Sequence, residues 1–201
     1  MTRTTRYKIQ YAVVLVVGVA LAAALSWWLR YQVVTLLVIA GILLIPGRVS
    51  GFIWRDFYRS RRLHDLGQYE ASLKSSQRFV NHLAERPHLR RYWWLAWAVY
   101  SRDPLAMALN NIGSTQLELG MLEEAEASFR EALKCDPEYP IPHFNLAVLC
   151  MVRNDRLKAE EHANNAVELG YYRNAADRML HAASRLLARI EGRGHGLRAD
   201  A

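Results

Sequence analysis

Two consecutive stretches of equal length decide the fold: residues 106–139, AMALNNIGSTQLELGMLEEAEASFREALKCDPEY, and residues 140–173, PIPHFNLAVLCMVRNDRLKAEEHANNAVELGYYR. When the two are aligned, small and apolar residues recur 34 positions apart. The matched pairs are Asn111 and Asn145, Ile112 and Leu146, Gly113 and Ala147, Ala125 and Ala159, and Ala132 and Ala166. A period of this length predicts an array of helical hairpins in which each unit packs against the next.

The first stretch resembles the tetratricopeptide repeat (TPR) at the positions where its paired helices touch. Small residues at Gly113 and Ala125 let the helices approach, and Phe129 fills the space between them. Gly120 suits the turn, and Pro137 cannot continue the second helix. The residues that carry the resemblance are Leu109, Ile112, Gly113, Gly120, Ala125, Phe129, Ala132 and Pro137.

The second stretch keeps a weaker form of the same pattern. Ala147, Asn154 and Ala163 stand where the first unit has Gly113, Gly120 and Phe129. Asn154 still suits the turn, because asparagine tolerates left-handed backbone geometry.

Two units bury a continuous face only with neighbours on both sides. Upstream, LHDLGQYEAS from Leu63 resembles the turn of a degenerate unit. Downstream, apolar residues at helical spacing from Ala175 to Ile190, with Arg178, Arg185 and Arg189 outside, predict a solvated capping helix. The predicted soluble segments are a degenerate helix pair at 55–86, an aromatic-rich extra helix at 87–103, TPR units at 106–139 and 140–173, a capping helix at 174–191 and a disordered tail at 192–201.

The amino-terminal segment is apolar enough to suggest a membrane. Residues 11–29 contain Ser26 as their only clearly polar side chain, which is about the length that crosses a bilayer as a helix. A second apolar run, residues 33–45, follows a three-residue turn and is predicted to extend to Trp54, with Trp54, Phe57 and Tyr58 as an interfacial aromatic belt. The sequence therefore predicts a transmembrane helical hairpin at 11–54 after a basic terminus at 1–10. A cleaved signal peptide, or one span followed by a re-entrant segment, is the alternative.

The distribution of charge gives the orientation of this hairpin. Residues 1–62 carry nine basic residues and one acid, whereas residues 63–172 carry eleven basic residues and fifteen acids. Basic residues flank both ends of the predicted hairpin, so the positive-inside rule places both termini and the TPR part in the cytoplasm. Because the soluble block is mildly acidic, nucleic acid is not expected as a partner.

Resemblance to TPR proteins implies a concave groove, lined by the first helix of each unit, that binds a peptide or an amphipathic helix of a protein partner. Two positions that carry cations in carboxylate-binding members are Asn110 and Ser114 here, so no carboxylate clamp is expected. Coverage of part of this groove by the capping helix and the aromatic segment is the alternative to an open surface. The predicted groove residues are Met107, Asn110, Ser114, Leu117, Glu118, Ile141, Phe144, Val148, Met151 and Val152.

No motif for catalysis, a metal or a cofactor stands out, and the sequence predicts a protein that is not an enzyme. His143 and Cys150 share one predicted helix but lack metal-ligand spacing, and Glu160, Glu161 and His162 lack the second histidine of a zinc protease motif. Cys135 and Cys150 are expected to be small buried residues.

The combined prediction is an all-α protein: a transmembrane hairpin followed by a short TPR α-solenoid with a capping helix. It resembles HemY-type bacterial membrane proteins in this architecture. The predicted function is a scaffold or adaptor at the cytoplasmic face of a bacterial inner membrane, in contact with lipids through the hairpin. Self-assembly into a homo-oligomer and a lipid-interacting role are the alternatives.

Overall fold

The computed structural model describes residues 3–29, 37–41, 44, 48, 51–95 and 101–199. Its regular elements are α1 (Arg3–Leu29), α2 (Arg55–Asp65), α3 (Tyr69–Glu85), a 3₁₀ helix (Pro87–Leu95), α4 (Pro104–Leu119), α5 (Leu122–Cys135), α6 (Pro140–Val152), α7 (Arg156–Glu168) and α8 (Ala175–Ala199). The described part of the chain contains no strand, so the all-α class is confirmed.

Four of the described residues have a left-handed backbone, and they lie in the turns that follow helices of the array. Gly67, Gly120 and Asn154 each follow the first helix of a pair, at φ of 72°, 80° and 61°, and Gly170 follows α7 at φ of 99°. At Gly120 the amide groups of the turn return to the last carbonyls of α4, which ends that helix. Left-handed geometry at Asn154, which the sequence predicts, is confirmed.

Close approach of α4 and α5 depends on Gly113. A Cβ atom built at this position would lie 2.6 Å from Cε1 of Phe129, whose ring is fully buried. In the second unit, alanine stands at both equivalent positions, 147 and 163, so the larger residue on α6 is matched by a smaller one on α7. The space between the paired helices is thus filled by a glycine and a phenylalanine in the first hairpin and by two alanines in the second.

Two buried clusters run through the array. One contains Trp54, Phe57 and Phe79 of the first helix pair together with Ala106 and Met107 of α4. The other joins the facing helices of the two repeats to α8. Buried apolar contacts therefore hold each unit to its neighbours, as in a solenoid.

The structure corrects the predicted aromatic belt. Trp54 is 0% exposed, and its ring packs edge-on against Phe79 at a centroid distance of 5.7 Å. Phe57 is also buried, at 5.5 Å from the same ring, whereas Tyr58 is exposed. Because Trp54 directly precedes α2, the packing of α2 on α3 draws it into the core.

Two other segments differ from the sequence prediction. Residues 87–95 form a 3₁₀ helix rather than an α-helix, and the side chains of the aromatic residues from Tyr92 to Tyr100 lie outside the described residues. Helix α8 continues through Gly192, Gly194 and Gly196 to Ala199, where a disordered tail was expected. Glycine inside a helix costs about 1 kcal/mol relative to alanine but does not forbid the helix.

The amino-terminal region is described only in part. Helix α1 covers the first predicted span, whereas the predicted turn at 30–32 and about half of the second span lie outside the described residues. Among the helices that the structure describes, none combines the length and the apolar character needed to cross a membrane.

Gly113→Ala is expected to destabilise the protein by about 1–3 kcal/mol, because the new methyl group overlaps the buried ring of Phe129. Phe129→Ala alone is expected to cost about 3–5 kcal/mol. The double variant reproduces the alanine pair of the second unit. Its loss of stability should be about 1 kcal/mol smaller than the sum of the losses in the two single variants. Urea unfolding followed by circular dichroism measures this coupling, and strictly additive costs would contradict the packing described for Gly113.

Candidate partner-binding groove

The first helices of the three pairs, α2, α4 and α6, line one side of the array, and the ten predicted groove residues lie on two of them. Four of these residues line an open cavity of about 500 Å³: Met107, Asn110, Ser114 and Ile141. The other six are taken up by contacts with α8 or by the core that includes it: Leu117, Glu118, Phe144, Val148, Met151 and Val152.

The open cavity is bounded by more elements than the sequence predicted. Helix α2 contributes Ser60, Arg61, His64 and Asp65, and the connection from α7 to α8 contributes residues 169–172. The sequence did not predict either wall, because α2 belongs to the degenerate pair and residues 169–172 lie at the end of the second predicted unit, outside its first helix. A volume of this size suits a few side chains of a bound segment rather than a long helix.

An amide network forms the floor between α4 and α6. Asn145 Nδ2 donates to Asn110 Oδ1 at 2.9 Å and to Ser114 Oγ at 3.2 Å. Asn110 is buried, and its amide oxygen already accepts a hydrogen bond from the second repeat unit. Its role at the floor is to hold the spacing of α4 and α6.

The α2 wall is tied to α4 through His64. Its Nδ1 lies 3.2 Å from Thr115 Oγ1, and Ser72 Oγ of α3 lies 3.3 Å from the same hydroxyl. Burial lowers the pKa of His64, Arg189 and Arg61 act in the same direction, and Asp65 opposes them. The imidazole is thus favoured in its neutral form within a polar wall.

The opposite wall is aromatic. Tyr171 stacks on Phe144 at a centroid distance of 4.6 Å, and Arg178 lies 4.3 Å from the centroid of Tyr172. Burial raises the pKa of Tyr171 above its ordinary value, so this hydroxyl is uncharged at neutral pH, as a free tyrosine would be. An apolar or aromatic side chain entering the cavity would meet this wall and Ile141.

Helix α8 covers the remainder of the concave surface. Its Met179, Ala183 and Leu186 are buried in the same cluster as Phe144 and Val148 of α6. The cluster also includes Leu117 of α4, and Arg189 of α8 pairs with Glu118 of the same helix, so α8 contacts both repeat units. The groove positions toward the carboxyl ends of α4 and α6 are therefore occupied within the chain itself.

Polar contacts fix the far end of α8. Arg189 forms an ion pair with Glu118 of α4 and donates to the hydroxyl of Tyr69, at the start of α3, at 3.1 Å. Ile190 Cγ1 lies 4.0 Å from the place where a Cβ on Gly120 would be. The prediction that Arg189 points away from the array is therefore wrong. Arg178 and Arg185, predicted to lie outside with it, are exposed.

The two histidines and two cysteines of the repeat units lie at partly buried positions in the helix packing. His143 Nδ1 faces Nδ1 of His162 at 3.3 Å across α6 and α7. Burial lowers the pKa of both rings, and the charge on His162 lowers that of His143 further. Cys135 and Cys150 are free and partly buried, and burial raises the pKa of both thiols. No set of three or more histidine, cysteine or acidic side chains suited to a metal ion occurs in the residues that the structure describes.

Comparison with known proteins supports the repeat pattern at residues 106–139. The tetratricopeptide repeat model matches residues 106–139, which are the first unit, from two residues inside α4 to the end of the loop before α6. No curated protein matches the chain. The match and the all-helical architecture support a TPR protein.

Leu186→Ala is expected to loosen α8, at a cost of about 2–5 kcal/mol, because Leu186 is 5% exposed in the cluster shared with α6. Leu187→Ala is the matched control, since Leu187 is 38% exposed and surface changes cost about 0.5 kcal/mol or less. Hydrogen exchange should rise in 175–190 for Leu186→Ala alone and stay low in α4. Equal exchange in both variants would show that α8 is not held by this face.

Proposed function

We propose that this chain is a scaffold that holds a segment of a protein partner in the open part of its concave groove, next to a membrane. The observation that carries the proposal is the cavity of about 500 Å³, lined by Met107, Asn110, Ser114 and Ile141 at positions where TPR proteins bind their partners. Repeats of this family generally mediate contacts between proteins.

The shape of the open site favours a short extended segment over an amphipathic helix. A helix needs a long apolar stripe, and the part of the groove that would meet it is taken by α8. The cavity instead combines apolar side chains, Met107, Ile141 and Tyr171, with polar ones such as Ser114 and Arg61. An extended peptide would place one or two apolar side chains in the cavity and its backbone against the polar rim.

Membrane attachment is the second part of the proposal, and it rests on the amino-terminal sequence. Residues 11–29 are almost wholly apolar, and the described valines and leucines of α1 are largely exposed, with Val16 and Leu21 each at 66%. An exposed apolar surface of this extent is unfavourable in water and is relieved by lipid or by other chains. The basic flanks of this region favour a cytoplasmic position for the repeats at a bacterial inner membrane.

Co-purification from membranes in mild detergent tests the scaffold. Arg61→Glu combined with Tyr172→Ser changes two exposed residues at the rim of the cavity, so the fold should persist. Arg156→Glu combined with Leu157→Ser is the matched control, because it makes the same charge change at exposed positions of α7 outside the cavity. The rim variant should lose at least about tenfold of a specific partner, which corresponds to about 1.4 kcal/mol, while the control retains it.

Three other results would count against the proposal. If the rim variant keeps its partner, the cavity is not the binding site. If the wild-type chain recovers only copies of itself, self-assembly replaces the scaffold. If an alkaline carbonate wash releases the chain from the membrane pellet, the membrane attachment is wrong while the scaffold remains open to the first test.

A further inference from the structure

Helix α2 has two chemically different faces. Phe57 and Ser60 point into the contact with α3 and are buried. Arg55, Arg59 and Arg62 are exposed, and their spacing of four and three residues places them together on the opposite face, since an α-helix turns about 100° per residue. We call these three arginines the basic stripe.

The guanidinium groups of the basic stripe have no acidic partner among the described residues. None of the three guanidinium groups makes an ion pair with an acid in the part of the chain that the structure describes. The two acids of α2 flank this face: Asp56, three residues before Arg59, is partly buried beside α3, where Ser75 Oγ donates to its backbone carbonyl oxygen, and Asp65, three residues after Arg62, lines the concave cavity. Three cations therefore face solvent as a row.

An apolar side chain borders this row. Phe52 precedes Arg55 by three residues and is 80% exposed, although Trp54 beside it is wholly buried. Among the described residues further upstream, the apolar side chains of Leu37, Val38 and Leu44 are also exposed. Aromatic and aliphatic side chains directly followed by cations are typical of the boundary between the hydrocarbon and the head groups of a bilayer.

We propose that the basic stripe is a binding surface for anionic lipid head groups, so that α2 lies along the membrane surface. Guanidinium groups bind phosphate through paired hydrogen bonds and lose little hydration in doing so. The inference rests on the proposed membrane attachment and adds the lipid chemistry to it. Because Phe57 on the opposite face of α2 packs into the array, this contact fixes the side of the array that meets the bilayer.

The test compares lipids retained by the full chain. The wild type is purified in mild detergent, incubated with equal amounts of phosphatidylglycerol and phosphatidylcholine, and examined by native mass spectrometry. A charge-reversal variant carries Arg55→Glu, Arg59→Glu and Arg62→Glu. The matched control, Arg156→Glu, Arg173→Glu and Arg185→Glu, has the same net charge with exposed positions elsewhere. A variant with glutamine at the three stripe positions guards against misfolding, which circular dichroism reports.

The wild type and the control should retain phosphatidylglycerol severalfold over phosphatidylcholine, and both stripe variants should lose this preference. Equal retention of the two lipids by the wild type would overturn the proposal, as would a preference that survives in the stripe variants. Loss of co-purifying nucleic acid in the stripe variants, without a change in lipid preference, would assign the surface to nucleic acid instead. Release of the chain by the alkaline wash would overturn the attachment without deciding this comparison, which is made in detergent.

Discussion

The structure depends on the burial of the concave face of the last repeat unit under α8. Each hairpin leaves an apolar side that it cannot bury by itself, and at the end of an array no further unit supplies the cover. Phe144 and Val148 of α6 are covered by Met179, Ala183 and Leu186 instead. Because Arg189 of α8 also pairs with Glu118 of α4, this single helix contacts both repeat units as well as ending the array.

This arrangement sets what the groove can bind. The long apolar part of the surface stabilises the fold and is filled from within the chain, whereas the part bounded by α2 and residues 169–172 remains open. The buried region that stabilises the fold and the open region that we propose for binding are therefore different parts of one concave surface. The polar floor made by Asn110, Ser114 and Asn145 connects them, since it fixes the distance between the helices that serve both.

Local features of the fold were predictable from the sequence, and long-range ones were not. The 34-residue period, the glycine at 120 and the asparagine at 154 report contacts between neighbours in the chain, which residue type and spacing encode. The ion pair of Arg189 with Glu118 joins residues far apart in sequence, and an arginine in a capping helix looks the same whether it faces solvent or the groove. Trp54 was ambiguous for a similar reason, because an aromatic residue after an apolar run suits both an interface and a core.

A cross-link between α4 and α8 tests most directly whether α8 lies across the groove. Glu118→Cys and Arg189→Cys, with Cys135 and Cys150 changed to serine, are treated with a short bismaleimide and analysed by mass spectrometry. Residue 189 faces residue 118, whereas Ser184 is exposed, so Glu118→Cys with Ser184→Cys is the control. We expect an intramolecular link within the monomer for the first pair and little for the second. Equal linking of both pairs, or none at position 189, would contradict this placement of α8.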